Sequence, residues 1–373
     1  MSRLRRQAAR QSRPHLIVAL TCACALASHM VPNWQSEVRA SNYGAVLDDS
    51  LRLGEEDLEE IRRRLSSQTV APGPWGAFLT FDYDDNSRRQ TMNENGFDER
   101  VPGFTVGVDK LLTDRFLLGG QFSYKSRYRD YDDPANPDKD NPKTLGTQET
   151  QDFAWALTAM YSFPSISLVS PWIPDLIEGA YLQATVGYAF LNIDTKRPDN
   201  ALTQPARGET NGDRALLSGS AGYDWIYHRW GAGLVGSVNY IDTWIDGYRE
   251  TGAAGDESEL LVVRSRDASR LTFDVGAKAQ YNFTFSWGNF IPEARIHYVY
   301  RDIRNGDPTT VEFQDGDTEK FPTDPPDRDA IKVGATLRMV LPNYWQVWLD
   351  YERTLLDRHE DNFGIRLGIR KQF

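Results

Sequence analysis

The sequence predicts an all-β protein: a twelve-stranded antiparallel transmembrane β-barrel with a short N-terminal helix. Three observations lead to this prediction. Residues 75–373 contain repeated segments in which apolar and polar residues alternate, short turns alternate with long polar loops between those segments, and the chain ends inside one of them on Phe373. Strands of about ten residues with one apolar and one polar face are typical of barrels that meet lipid outside and water inside.

The first 40 residues have the features of an export signal. Five arginines between residues 3 and 13 precede an apolar stretch over residues 16–27, which ends in the small-residue sequence Ala25-Leu26-Ala27. We therefore expect a signal peptide over residues 1–27, with cleavage as late as residue 40 as the alternative. About twelve apolar residues are too few for a transmembrane helix. Both cysteines, Cys22 and Cys24, lie in this segment, so the exported chain would have neither a disulfide nor a thiol site.

Residues 41–74 are expected to form a short helical linker or a vestigial passenger. Within them, residues 48–67 carry a narrow apolar stripe, acids crowd the front, and three arginines follow at the back, as the helix dipole favours. Residues 71–74 (APGP) end this helix. Two interpretations stay open: a plug inside a barrel lumen, or a solvated linker.

Residues 75–373 are predicted to form the barrel itself. The clearest strand is residues 271–285, in which every odd position is apolar. The predicted strands cover residues 75–84, 101–112, 115–129, 150–163, 179–194, 213–227, 230–244, 270–286, 288–303, 329–341, 344–354 and 361–373.

The predicted connections alternate in length. Short turns fall at residues 112–115, 228–229, 287–288 and 342–343, and long polar loops at 85–100, 130–149, 195–212, 245–269 and 304–328. Short periplasmic turns and long extracellular loops are typical of a barrel with both termini in the periplasm. Two connections depart from this rule. Residues 164–178 form a long turn where a short periplasmic turn is expected, and residues 355–360 form a short loop where a long extracellular loop is expected.

The last strand has one apolar and one charged face. Ile365, Leu367, Ile369 and Phe373 share one parity, and we expect them to face lipid and to form the signal for assembly into the membrane. Taken alone, the same residues would also suit an edge strand of a soluble β protein.

The opposite parity of the strands predicts the lumen lining. The candidates are Lys125, Arg127, Lys278, Glu293, Arg295, Arg338, Arg366 and Arg370. By the predicted strand assignment, bases outnumber acids on this parity, and an acidic helix over residues 48–67 would be attracted to such a lumen.

Catalytic, cofactor and metal motifs are not predicted. His297 shares the inward parity with Glu293 and Arg295 and could orient a serine base or bind an ion, but a polar lumen accounts for it equally well. The acidic loops lack the ligand spacing of an EF-hand. The net charge is −11 and becomes −16 once residues 1–40 are removed, which argues against a nucleic-acid partner. We therefore predict no enzymatic activity, no cofactor and no metal.

Several stretches resemble the translocator domain of autotransporters (type V secretion). They are residues 75–78 (WGAF), 102–109 (PGFTVGVD) with 116–120 (FLLGG), 222–225 (GYDW) with 240–250 (YIDTWIDGYRE), and 286–295 (SWGNFIPEAR).

The resemblance implies a twelve-stranded barrel in the outer membrane, inserted from the periplasm with chaperones and the outer-membrane assembly machinery. The lipid bilayer would be its other partner, and we expect a monomer. Fewer than fifty residues lie between the predicted signal and the predicted barrel, or thirty-four if cleavage follows residue 40, whereas autotransporters carry a long passenger at this place. We therefore expect a translocator or structural membrane protein without a substantial passenger, with a porin-like channel for small solutes as the alternative.

Overall fold

A computed structural model describes most of the chain from Trp75 onward. The described ranges are residues 75–90, 95–132, 144–163, 176–198, 205–252, 260–304, 309–313, 316–321 and 327–373. The predicted signal peptide and the predicted helix over residues 48–67 lie outside these ranges. Among the described residues, no helix has the length and apolar character needed to span a membrane.

The described residues contain seventeen strands and form two sheets. The strands are β1 (Trp75–Arg88), β2 (Phe97–Thr113), β3 (Phe116–Asp132), β4 (Thr144–Phe163), β5 (Leu176–Arg197), β6 (Ala206–Tyr227), β7 (Trp230–Ile245), β8 (Tyr248–Arg249), β9 (Val262–Val263), β10 (Arg266–Tyr281), β11 (Phe283–Phe285), β12 (Gly288–Arg304), β13 (Thr309–Glu312), β14 (Thr318–Phe321), β15 (Asp329–Leu341), β16 (Trp345–Leu355) and β17 (Glu360–Gln372).

The larger sheet closes into the predicted twelve-stranded antiparallel barrel. Neighbours in sequence pair with each other, β10 pairs with both β7 and β12, and β11 continues β10 after a one-residue break. The first and last strands complete the ring, since β1 and β17 pair from Gly76 opposite Gln372 to Arg88 opposite Glu360. The Phe373 N–H also donates to the Trp75 carbonyl at 2.9 Å. Closure leaves no unpaired edge for lipid to meet.

The alternation of side chains is visible in their burial. Ile365, Leu367, Ile369 and Phe373 are 40–65% exposed on the outer face, while Arg366 and Arg370 between them are buried inside. Exposed tryptophans lie at the end of the barrel that carries the chain termini and the short turns: Trp75, Trp230, Trp287 and Trp345. Their amphipathic rings suit the membrane interface there.

Several strands are longer at the loop end than the sequence predicts. The predicted strand over residues 213–227 begins at Ala206, and the predicted strand over residues 150–163 begins at Thr144. The predicted loops 195–212 and 130–149 were therefore wrong in their bounds. Polar and small residues occupy both faces of these extensions, as in residues 206–210 (ARGET), so they lack the apolar periodicity that marks a strand in lipid.

A second sheet of four short strands lies in connections that were predicted to be loops. Its order is β14-β13-β9-β8, so the β7–β10 and β12–β15 connections contribute two strands each. Both connections belong to the long-loop end, so this extracellular sheet (β8, β9, β13 and β14) lies opposite the chain termini.

Candidate functional site: the charged lumen

The inner wall of the barrel is rich in buried ionic side chains. On the inward parity of the described barrel strands lie fifteen bases and eleven acids, an excess of four positive charges. The bases are Arg88, Lys125, Arg127, Arg129, Arg197, Arg214, Arg266, Arg270, Lys278, Arg295, Arg301, Lys332, Arg338, Arg366 and Arg370. The acids are Asp82, Asp84, Glu99, Asp109, Asp152, Asp224, Asp274, Glu293, Asp350, Glu352 and Glu360.

All eight residues predicted to line the lumen lie on this inward face. Lys125 and Arg127 are on β3, Lys278 on β10, Glu293 and Arg295 on β12, Arg338 on β15, and Arg366 and Arg370 on β17. The structure brings Arg295 and Arg366 to Asp350 and pairs Glu293 with Arg338 at 3.9 Å. Arg127, Lys278 and Arg370 contribute to other pairs, including Lys278 with Asp224 at 3.0 Å. Their functional roles stay predictions.

The Asp350 network joins four neighbouring strands. Both terminal nitrogens of Arg295 donate to the Asp350 carboxylate at 2.7 and 2.9 Å, and one of them also reaches Glu352 at 3.2 Å. The Thr336 hydroxyl donates to the same carboxylate at 2.6 Å. Such bidentate pairing fixes the geometry of the Arg295 side chain as well as balancing its charge. This wall of the lumen is thereby held in one arrangement.

A second group of ion pairs crosses the joint between the first and last strands. Arg366 on β17 lies 3.1 Å from Asp84 and 3.8 Å from Asp82 on β1. Arg370 reaches past β1 to Asp109 on β2 at 2.6 Å, and Arg88 lies 3.6 Å from Glu360. The closing joint is therefore held by side chains inside the lumen as well as by the backbone ladder.

A third cluster lies towards the extracellular end around Glu99. Arg129 donates to this carboxylate at 2.6 and 3.1 Å, Arg127 lies 3.5 Å away, and Asn86 donates at 2.8 Å. The Arg129 guanidinium also lies 3.5 Å from the centroid of the Phe97 ring. Cation–π contact of this kind adds attraction where water is excluded. Glu99 therefore balances two arginines that are fully buried.

The inward acids are where sequence reasoning fell short. Glu99 lies outside the predicted strand 101–112, because the polar residues before Val101 resemble a loop. Asp82 and Asp84 lie within the predicted first strand but were not among the predicted lining residues. The signal that could have found them is parity, since both share it with the inward-facing Thr80 and Asn86.

His297 has a structural partner in the lumen. Its Nδ1 lies 2.9 Å from Oδ1 of Asp274, and both residues are buried. A Cβ atom at Gly276 would overlap the imidazole ring, so the glycine makes room for it. The Asp274 contact places His297 among the paired side chains of the polar lumen, and its roles in orienting a serine base or binding an ion stay untested predictions. Over the described residues, no three or more His, Cys, Asp or Glu side chains are grouped to hold a metal ion.

Comparison with known proteins agrees with this architecture. The autotransporter β-domain family model matches residues 77–352. The translocator domain of NalP from Neisseria meningitidis is similar at 14% identity, with a TM-score of 0.62 and coverage of 86% of this chain and 97% of that chain. The transport unit of AIDA-I from Escherichia coli is similar at 12% identity, with a TM-score of 0.56 and coverage of 82% and 92%.

A third similar structure is the β-domain of the Bordetella autotransporter BrkA. It is 14% identical, with a TM-score of 0.54 and coverage of 80% of this chain and all of that chain. A search of curated proteins finds no match. At these identities the solved structures show the fold, whereas the family model spans most of the chain and shows the family. The chain is an outer-membrane β-barrel that belongs to the autotransporter β-domain family.

Proposed function

We propose that this barrel works as a translocator-type membrane protein whose lumen holds an acidic segment of its own chain, and that it is neither an enzyme nor an open pore. The excess of positive charge on the inner wall carries this proposal: four charges on the barrel strands, or two once Glu250 and Asp357 are counted as the partners of Arg197 and Arg301. Residues 48–67, which lie outside the described residues, contain seven acids and four arginines. Opposite charges a few ångströms apart in a narrow lumen are screened little by salt.

The proposal extends to how the barrel reaches the membrane. The lipid-facing residues of β17, Ile365, Leu367, Ile369 and Phe373, would be read by periplasmic chaperones and the outer-membrane assembly machinery before the strand pairs with β1. The apolar outer face supports a monomer in lipid. These partners and the monomeric state stay predictions.

A charge-neutralised variant tests the proposed occupant of the lumen. Replacing Glu55, Glu56, Asp57, Glu59 and Glu60 with the corresponding amides keeps the length of the segment and removes five negative charges. We expect the temperature of unfolding, followed by heat-modifiable migration on gels, to fall by several degrees. A barrel surface acid, Asp194→Asn, is the matched control and should leave the temperature unchanged. An unchanged temperature in the five-residue variant would show that the segment is a solvated linker.

A further inference from the structure

Apolar side chains lie among the buried charged ones at the outer end of the lumen. On eight barrel strands, at least one inward residue near the long-loop end is apolar and at most 3% exposed. This apolar collar consists of Phe97, Val101, Tyr131, Ile193, Ala206, Ile245, Ala268, Val299 and Ala330. In a water-filled mouth these residues would be solvated, at a cost of about 25 cal/mol per Å² of apolar surface. Protein therefore covers them: Phe97 and Tyr131 pack on each other and on Arg129 of the wall, and Ala206 packs on Leu260 of the β7–β10 connection.

The extracellular sheet has an apolar core of its own. Tyr248, Leu261, Val263 and Val311 are buried together, and Phe313 packs against them. Strand β9 pairs with β8 on one side and with β13 on the other, so two connections that are distant in sequence are joined into one unit. Such a unit has a fixed shape, because each short strand is held by a neighbour and by the shared core.

Tyr248 anchors the sheet inside the barrel mouth. A Cβ atom at Gly208, an inward residue of β6, would overlap the ring of Tyr248, so the ring occupies the space that a side chain there would take. The Thr195 hydroxyl, on the inward face of β5, borders the same space beside Gly208, and burial raises the pKa of the Tyr248 hydroxyl above its ordinary value. Leu260, just before β9, is buried against Ala206 of the collar.

Polar contacts fix the same connection to β5 and β6. Arg197, at the end of β5, donates to both oxygens of Glu250 at 3.2 and 2.6 Å, and the Leu261 N–H donates to Glu250 at 3.0 Å. The backbones of Arg207 and Thr251 exchange two hydrogen bonds of 2.7 Å. The Arg197–Glu250 pair is almost fully buried, so removal of one partner would leave a charge in a dry site.

We propose that the extracellular sheet is a lid that seals the outer end of the lumen. It rests on Gly208 of β6 through Tyr248 and on Ala206 of the collar through Leu260, and it is fastened by the Arg197–Glu250 pair. The lid is independent of the segment proposed to fill the lumen, because each of these contacts joins residues of the barrel and its loops from Thr195 onward. The lumen is therefore closed to solutes at its outer end even when the N-terminal segment is absent.

Cysteine labelling in intact cells tests the lid directly. The chain has only two cysteines, Cys22 and Cys24, both in the predicted signal segment, so single cysteines give a clean readout. Ile193→Cys places a thiol in the collar beneath the lid, and Lys196→Cys places one on the exposed outer face of the same strand. With a membrane-impermeant maleimide we expect Lys196→Cys to label rapidly and Ile193→Cys to label at least tenfold more slowly.

Opening the lid should remove this protection. In a Gly208→Val background the new side chain displaces Tyr248, and in a Tyr248→Ala, Glu250→Ala background the anchor and the ion pair are removed. Both should raise labelling of Ile193→Cys towards that of Lys196→Cys. Gly222→Val is the matched control, since Gly222 is an inward glycine of the same strand that faces Tyr181 at the other end of the barrel.

Heat-modifiable migration shows that each variant is assembled. Rapid labelling of Ile193→Cys with the native lid would overturn the proposal, because the outer end would then be open. Continued protection in both assembled lid variants would also overturn it, because another part of the chain would then cover the collar. Neither result bears on the charge-neutralised N-terminal variant, so the two proposals fail separately.

Discussion

Leu367→Arg is expected to destabilise the barrel by placing a charge in the middle of the membrane. Leu367 is 50% exposed on the outer face of β17, opposite Phe81 of β1 and Leu349 of β16. It lies five residues from the periplasmic end of β17 at Gln372. At about 3.4 Å per residue and a strand tilt of roughly 40°, this is about 13 Å from that end, half the height of an apolar band of about 25 Å.

The depth of residue 367 in the membrane sets the expected loss of stability. A lipid-facing arginine costs about 2–4 kcal/mol at the bilayer midplane and about 0–1 kcal/mol near the interfaces. We therefore expect the free energy of unfolding of Leu367→Arg, measured by urea titration in lipid vesicles, to fall by about 2–4 kcal/mol. Leu367→Ala keeps the surface apolar and is the control, with a much smaller loss.

Two results would refute this reasoning. Equal stability of Leu367→Arg and Leu367→Ala would mean that position 367 does not meet the hydrocarbon. A loss well above 4 kcal/mol would mean that the side chain packs against protein, so that the lipid-transfer cost is not the main term.

Four further predictions follow from the same structure. The side chain of Phe373→Asp lies near the interface, where exposure to lipid costs only about 0–1 kcal/mol. We therefore expect the assembled protein to have normal stability but to be much less abundant in outer-membrane fractions. Wild-type abundance would exclude a role of Phe373 in recognition by the assembly machinery. Glu99→Gln should lower the free energy of unfolding by up to about 3–5 kcal/mol, because Arg127 and Arg129 lose their shared carboxylate, whereas the exposed Glu209→Gln should not. Deletion of residues 48–67 should raise single-channel conductance in planar bilayers when combined with Gly208→Val; equal conductance with and without the segment would favour a solvated linker. The protein should fractionate with outer membranes and require detergent for extraction, and recovery from the soluble periplasm would contradict the assignment.

The barrel strands could be predicted because lipid imposes a simple rule on them. Lipid favours apolar residues on the outward face, so apolar and polar residues alternate along strands such as β10. This alternation identifies each strand from its own residues, with no information about the rest of the chain. Turns are equally local: His228 has a φ of 53° in the two-residue connection between β6 and β7, the left-handed conformation that tight hairpins need.

The extracellular sheet could not be predicted in the same way. Strands β8 and β9 have two residues each, too few to show any period, and they exist because β13 and β14 from another connection complete the sheet. The ion pairs of the lumen could not be predicted for the same reason. Parity shows that Arg295 points inward, but only the register of β12, β15 and β16 brings it to Asp350. Both features depend on pairings between distant parts of the chain.

In the final strand, β17, inward residues face the lumen and outward residues face the membrane. Its inward residues alternate glycine and arginine: Gly364, Arg366, Gly368 and Arg370. A Cβ atom at Gly364 would overlap the Asp84 carboxylate that Arg366 binds, and one at Gly368 would overlap the Trp348 indole. The glycines therefore leave room for the partners that the arginines and the neighbouring strand bring in.

The outward residues between them, Ile365, Leu367 and Ile369, lie opposite apolar or aromatic residues of β1 and β16 and turn their exposed 40–50% towards the membrane. A change of one outward residue therefore acts through transfer into the membrane, whereas a change of one inward residue acts through unpaired charge or lost space inside the lumen. Salt should change neither cost much. Glu99, Arg127 and Arg129 are buried away from solvent, so their interaction is screened little. We therefore expect Glu99→Gln and Leu367→Arg each to lower the free energy of unfolding by the same amount at low and high salt, and a loss for Glu99→Gln that vanishes at high salt would show that the cluster is open to solvent.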